Sequence, residues 1–433
     1  MYLTSRLPVL VAVGAVPVVL LSLAGTDAWL AAAGWIVLCV VLALVDAAAA
    51  PDPRLVRVER SAPVRARLGE VVEVSTRLRN TGGRTFRGRV RDAWQPTAGA
   101  PPQHPSIVIP PGESRVVRTP LAPRRRGELR SMFVALRSVG PLRLAGRQAR
   151  IDDVGAIRVL PPFTSRRHLP SRLARLRELD GATSIQVRGP GTEFDSLREY
   201  VRGDDVRSID WRATARSSTT MLRTWRPERD RHVVIVIDTG RTAAARVGDG
   251  VRLDAAMEAA LLLAALAQRA GDHVHLLMFD RVVRARVTRH DGPGLLPAMV
   301  DAMATVEATL IDTDWDAAFA EVRALTSRPS LVVLLTAQDS VESSRGFLGS
   351  LPALTARAHV LVGTVADAPA PTAERPDVDE VYREAAAARA AADAGRVAAA
   401  IGRAHAEAVT DTADDLPPRI ADRYLALKAA GRL

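Results

Sequence analysis

The chain has 433 residues, with 59 Lys+Arg against 48 Asp+Glu for a formal charge of +11, and 48% of its residues are hydrophobic. That length holds an anchor and two or three domains of roughly 100–200 residues each, and that apolar fraction excludes a globally disordered chain. Aromatic residues are only 4% and Lys428 is the one lysine, so no stacking residues interleave with the abundant arginines and a nucleic-acid partner is not expected.

Two apolar stretches open the chain, Leu7 to Ala24 and Ala28 to Val45, and neither contains a charged residue. Each is about 18 residues long and would span about 27 Å as a helix, close to the hydrocarbon thickness of a bilayer. Thr26 and Asp27 leave room only for a tight turn, which predicts a two-helix transmembrane hairpin over residues 1–50. A cleaved signal peptide is the competing reading, and the second apolar stretch argues against it. Arg6 precedes the first span, and Arg54, Arg57, Arg60, Arg65 and Arg67 follow the second. Both ends are therefore expected in the cytoplasm, giving a two-span cell-membrane protein whose arginines rest on anionic headgroups. Cys39, the only cysteine, lies in the second span, which rules out an intrachain disulfide and Cys-based zinc sites.

From residue 51 to 165 the chain reads as a small β-sandwich. Short β-rich runs at Val56–Glu59, Val71–Leu78, Gly88–Val90, Ile107–Ile109, Arg115–Arg118 and Ala156–Leu160 are separated by turn residues such as Asn80-Thr-Gly-Gly and Pro110-Pro-Gly. The run Arg124-Arg125-Arg126-Gly127 reads as a solvated edge that blocks further strand pairing.

Residues 166–230 form a connector. Its most unusual part is GTEFDSLREYVRGDDVRSIDWRATARSSTTMLRTW, residues 191 to 225, where acids and arginines alternate around Phe194, Leu197, Tyr200, Ile209 and Trp211. The expectation is that these charges pair with one another and the aromatics pack on the neighbouring sheet.

From residue 231 to 433 strands alternate with helices, which implies an open, mostly parallel sheet covered on both faces. Predicted strands are Val233–Ile237, Val274–Phe279 with Val282–Val287 as its hairpin partner, Leu331–Leu335, Val360–Val365 and Ala406–Val409. Predicted helices are Arg252–Ala270, Leu295–Thr309, Trp315–Leu325, Val341–Leu351, Val378–Ile401 and Pro418–Ala430. The fold class is thus α/β, with a transmembrane hairpin and a β-sandwich preceding the sheet.

Ligands of such sheets sit outside the carboxyl ends of the strands. The first strand ends in Asp238-Thr239-Gly240-Arg241-Thr242, an acid followed by a hydroxyl four residues on, which suits Mg²⁺. This resembles the metal-ion-dependent adhesion site of von Willebrand factor A domains, whose pattern is Asp-x-Ser-x-Ser. Gly240 stands where that family has its middle serine. The resemblance implies a threonine from a later loop, matched by Thr313, and an aspartate after a central strand. Ala337 occupies the latter position and Asp339 follows two residues late. The candidate ligands are Asp238, Thr242, Thr313 and Asp339, with helix capping by Asp238 and Thr242 as the alternative.

The segment 191–225 is similar to the signature of the prokaryotic family called domain of unknown function 58. The matching residues are Gly191, Glu193, Arg198, Tyr200, Gly203, Asp204, Arg207, Ile209, Asp210, Trp211, Ala215 and Arg216. The ending from Tyr424 to Leu433 and the order of hairpin, β-rich segment and von Willebrand-like sheet resemble it too. The resemblance implies a membrane-anchored partner of a MoxR-type AAA+ ATPase.

Catalytic motifs are not found: there is no Gly-x-Ser-x-Gly elbow, Walker loop or His-Glu-x-x-His. His273 and His275 share one strand face and read as an edge or interface pair. The function expected is a membrane-tethered, non-enzymatic protein-binding adaptor. A hydrolase using the acidic segment and a structural envelope protein are the alternatives.

Overall fold

The structure is a computed structural model that describes every residue except 103, 153–154, 184–192, 203, 227–230, 249, 289 and 367–377. It divides into two units, Met1–Leu160 and Pro161–Leu433. The hairpin therefore belongs with the β-rich segment, and the connector belongs with the sheet that follows it.

In the first unit a short strand β1 (Tyr2–Leu3) precedes three helices, α1 (Arg6–Val13), α2 (Ala15–Leu23) and α3 (Ala28–Ala49). The first apolar stretch is broken at Gly14 because Pro17 has no N–H to offer the carbonyl of Val13. Gly14 also admits Trp35, whose indole nitrogen would lie 1.9 Å from any Cβ there. By length and composition the segments Arg6–Leu23 and Ala28–Leu55 can both cross a membrane.

Nine strands follow: β2 (Val56–Ser61), β3 (Arg65–Arg67), β4 (Val72–Asn80), β5 (Phe86–Trp94), β6 (Ser106–Ile109), β7 (Ser114–Leu121), β8 (Gly127–Val139), β9 (Ala145–Ile151) and β10 (Ala156–Leu160). One antiparallel sheet runs β2-β4-β7. The other is built on β8, which pairs with β5, β9 and β10, with β1, β3 and β6 on its margins. All pairings are antiparallel except β3 with β10. Val56, Leu78, Phe86, Val90, Ile109, Val134 and Leu136 from both sheets form one core cluster. Each such side chain taken out of water contributes about 1.5–3 kcal/mol.

Two expectations about arginines are corrected here. The run Arg124–Arg126 does not block strand pairing, since it leads into the most heavily paired strand of the unit; Arg124 and Arg125 are exposed, but Arg126 is buried. Arg60 does not lie at a membrane surface. Its guanidinium is 2.7 Å from Asp92 in a pair only 4% and 3% exposed, and Asp92 also accepts from Ser131 Oγ and Trp94 Nε1.

The hairpin is fastened to the sandwich at one place, the turn between β8 and β9. Asp46, one turn from the end of α3, is 1% exposed. Its Oδ1 accepts from the Leu142 amide at 2.7 Å, and its Oδ2 from the amides of Leu144 and Ala145 at 2.7 and 2.9 Å. Gly140 makes this possible, because a Cβ there would lie 2.2 Å from Asp46 Oδ1. Arg147 closes the junction by donating to the carbonyls of Ala47 and Ala48. The other end of the hairpin reaches the same turn, with β1 pairing along β9 and the Thr4 amide donating to the Leu144 carbonyl at 3.0 Å.

In the second unit, α4 (Leu169–Thr183) is followed by a hairpin of β11 (Glu193–Glu199) and β12 (Met221–Arg226), with α5 (Trp211–Thr214) in the connection. Then come β13 (His232–Asp238), the short pair β14 (Arg246–Val247) and β15 (Gly250–Val251), α6 (Arg252–Arg269), β16 (His273–Phe279), β17 (Val283–Val287), α7 (Leu295–Ala304), α8 (Trp315–Leu325), β18 (Pro329–Leu335), α9 (Arg345–Ser350), α10 (Pro352–Thr355), β19 (His359–Val365), α11 (Val378–Arg403), β20 (Glu407–Asp411) and α12 (Leu416–Ala429). The sheet order is β17-β16-β13-β18-β19-β20, parallel throughout except for β17. Val234 and Val236 face a cluster with Trp315, Phe319, Phe347 and Ile401, while α6 and α12 pack together on the other face.

Replacing Asp46 by Ala strips three amides of a charged acceptor and is expected to lower the stability of the first unit by about 2–4 kcal/mol. Thermal unfolding of the full chain in detergent measures this; an unchanged melting temperature would mean the helix end is not held through this carboxylate.

Candidate functional site

The register of the parallel strands brings the ends of β13, β16 and β18 side by side, and two buried acids sit there. Asp238 closes β13 and is 4% exposed. Its Oδ1 accepts from the Gly240 amide at 2.8 Å and the Thr313 hydroxyl at 2.5 Å, and its Oδ2 from the hydroxyls of Thr242 at 3.2 Å and Thr336 at 2.6 Å. Of the four candidate ligands, Asp238, Thr242 and Thr313 come together. Asp339 does not join them; it pairs with Arg252 at 3.1 Å. Thr336, the first residue after β18 and one residue before the position assigned to the acid, supplies the fourth contact through its hydroxyl. Gly240 has a local reason: a Cβ there would lie 2.3 Å from the Thr313 oxygen and 2.9 Å from the Ile311 carbonyl. The Thr313 hydroxyl fills the space of the missing serine.

Asp280, the first residue after β16, was also missed, although an acid at the carboxyl end of a predicted strand was a readable signal. It is fully buried and accepts from Arg284 Nε at 2.6 Å, the Thr309 hydroxyl at 2.8 Å, the Thr239 hydroxyl at 3.2 Å, and the Arg281 and Val282 amides. Burial pushes its pKa up, but these donors outweigh burial and hold it at about 2.

Whether Mg²⁺ suits this rim is a question of charge and donor supply. Among the described residues no group of three or more His, Cys, Asp or Glu could hold a metal ion. The Asp238 cluster offers one carboxylate and three hydroxyls, and each hydroxyl is turned onto that carboxylate. A hard dication would have one negative charge to balance it and would have to break those hydrogen bonds. The residues present form a closed hydrogen-bond cluster around Asp238.

His273 and His275 do not stand at an edge, since β16 lies between β13 and β17. His232 of β13 stacks against both, with ring centroids 5.3 and 5.2 Å away, and its Nδ1 is 2.9 Å from His275 Nε2. Burial, then the neighbouring His232 and His273, push the His275 pKa down.

The second candidate region is the hairpin β11–β12. Its polar residues do pair with one another. Arg198 is 2.6 Å from Asp204, whose other oxygen accepts from the Val201 amide. Asp210 caps α5 through the Arg212 and Ala213 amides and is 2.7 Å from Arg223. The Ala213 amide and the Arg223 guanidinium hold its carboxyl below the usual range. Tyr200 is half-buried with its amide on the Thr220 carbonyl, and Ile209 bridges to Leu222. Glu193 opens β11 opposite Arg226. Gly191 and Gly203 lie outside the described residues. The expectation for the aromatics is overturned at Trp211, which is 70% exposed. Val201 at 61%, Val206 at 60% and Leu197 at 40% are exposed as well, and so are Arg202, Arg207, Arg212 and Arg216. The reason is geometric: α5 is a single turn, and its polar cap, not its tryptophan, is bound to the hairpin.

The family described as "Protein of unknown function DUF58" matches residues 196–412, half of the chain. Uncharacterised proteins of Mycobacterium bovis and Mycobacterium tuberculosis are each 26% identical over 197 residues, 45% of this chain and 61% of the relative. The chain thus matches less than two thirds of the length of those relatives. Among solved structures, the SpRpn10 VWA domain is 11% identical over 45% of this chain and 94% of its own, with a TM-score of 0.29. A fragment of alpha-2-macroglobulin from Escherichia coli is 16% identical over 26% of this chain and 17% of its own, with a TM-score of 0.21.

Two outcomes follow from the buried acids. Adding Mg²⁺ to the EDTA-treated chain is expected to leave its melting temperature unchanged; a rise that Asp238→Ala abolishes would instead assign an ion to the cluster. The folded pKa of Asp280 lies below its ordinary 3.8. Its contribution to stability is therefore fully present above pH 4 and is lost as the pH falls toward 2, by about 2 kcal/mol. Acid unfolding curves should lose that slope in Asp280→Asn, and identical curves for the two proteins would rule this carboxyl out as the group responsible.

Proposed function

This chain belongs to the DUF58 family, and from that premise we propose that it is a membrane-tethered protein-binding adaptor with a sheet of von Willebrand factor A type. Two apolar helices long enough to cross a bilayer supply the tether. The arginines on their outer flanks support a cytoplasmic location for the rest of the chain.

The observation that carries the binding reading is the outward set Trp211, Val201, Val206 and Leu197 on a hairpin whose acids Asp204 and Asp210 are already paired with Arg198 and Arg223. Tryptophan and arginine are the residues most enriched at the centres of protein interfaces. Four exposed arginines around an exposed tryptophan call for a partner with an apolar pocket rimmed by acids. The family resemblance points to a MoxR-type AAA+ ATPase as the protein that carries it. Asp204 and Asp210, the acids an enzyme would draw on, are committed to arginine and amide donors. That supports binding over acid–base chemistry.

Affinity purification of the full chain from detergent-solubilised membranes tests the reading. An AAA+ ATPase should copurify, and Trp211→Ala should lower its recovery about tenfold or more. The proposal fails if no ATPase is recovered, or if the variant recovers as much as the parent.

A further inference from the structure

Where α3 enters the sandwich, the first unit holds a cavity of about 380 Å³ whose two walls differ in chemistry. One wall is the end of the apolar helix, Leu44, Ala47 and Ala48; the other carries Arg54, Arg147 and Gln148. A second cavity of about 530 Å³ shares Arg54 and adds Arg57 and Arg150, with Val56, Val58 and Ile151 behind them. We propose that this paired cavity binds the headgroup of an anionic phospholipid, with its acyl chains lying along α3. The inference rests on the membrane-spanning part of the preceding reading and not on its protein partner.

Position, charge and shape all bear on this assignment. Leu44 is 54% exposed and Val41 48% exposed, so the helix flank leading to the cavity is apolar and open. Arg147 is pinned by the carbonyls of Ala47 and Ala48 and lies 3.9 Å from Asp52, so its guanidinium is already oriented at the helix end. Arg54 is exposed, and its guanidinium has no partner among the described residues, leaving it able to close on a phosphate. The acids facing the two cavities are Asp52 and Glu59, against four arginines, of which Arg150 also pairs with Asp152. The balance stays positive, which favours a headgroup with net negative charge over a zwitterionic one. A free phosphate would use the arginines but leave the wall of Leu44, Ala47 and Ala48 without a counterpart.

Native mass spectrometry of the full chain in detergent, titrated separately with phosphatidylglycerol and phosphatidylcholine, reads the site directly. One phosphatidylglycerol should be retained at concentrations where phosphatidylcholine is not. The pair Arg54→Gln and Arg57→Gln should weaken that retention on the order of twentyfold, at about fivefold per arginine. Arg118→Gln, on β7 and outside the lining of both cavities, should leave it unchanged, and thermal melting should confirm that all variants fold. Equal retention of the two lipids, or indifference to the double variant, overturns the proposal. Displacement of the lipid by excess inorganic phosphate overturns it too, by making the cavity a plain anion site. Carbonate extraction of membranes separates the failures: a chain released into solution sinks the membrane reading itself, whereas an integral chain without lipid preference sinks only this site.

Discussion

A carboxylate taken out of water loses hydration worth several kcal/mol unless donors replace it, and this chain is pinned wherever such donors have been gathered. Asp46 collects three amides of the β8–β9 turn and thereby ties a helical hairpin to a sandwich. Asp92 draws Arg60, Ser131 and Trp94 into the same unit's interior. In the second unit Asp238 and Asp280 gather hydroxyls from loops far apart in sequence, so that the strand ends become a fixed rim. Glu258 of α6 does the same for the start of the unit, accepting from Thr164 and the Ser165 amide. Each of these acids is thereby committed to holding neighbouring segments in place.

The same logic separates holding from presenting in the signature hairpin. Its arginines and aspartates look like a reactive cluster when written in a line. In space Arg198 with Asp204 and Arg223 with Asp210 fix the shape of the connection between β11 and β12. What is left over is the apolar side of the motif, above all Trp211. An exposed tryptophan on a frame that loses little entropy on binding is a good docking element, because rigid aromatic area is gained at low conformational cost.

Much of this fold was legible from periodicity, and the exceptions share a cause. Val233–Ile237 had to be a strand buried on both faces, and the pairing of Val283–Val287 with β16 followed from a hairpin-length spacing. Strand β8 went unread because three arginines precede it and Ser131 and Ser138 sit at buried positions that alternation assigns to apolar residues. Strand β9, with Gly146, Arg147 and Gln148 at its start, has no intrinsic strand preference and is specified by its neighbours. At the rim, Asp238, Thr242 and Thr313 were recognisable as a set. Thr336 was not, since only the folded register shows that its hydroxyl, one residue before the position assigned to an acid, reaches Asp238. Trp211 was placed inward because aromatics usually are, and a four-residue helix capped on its polar side had no apolar neighbour to receive it.

A tether changes what a modest docking surface can do. Confining one partner to a membrane raises its effective concentration toward anything else held at that surface, so a weak contact becomes sufficient without any new interaction. The way the hairpin is fastened fits that role. A flexible linker would let the helices and sandwich move independently; instead β1, Asp46 and Arg147 all converge on one turn, so that the apolar helices and the sandwich behave as one piece. Such a junction also fixes where Arg54 lies beside the end of α3, next to Arg147.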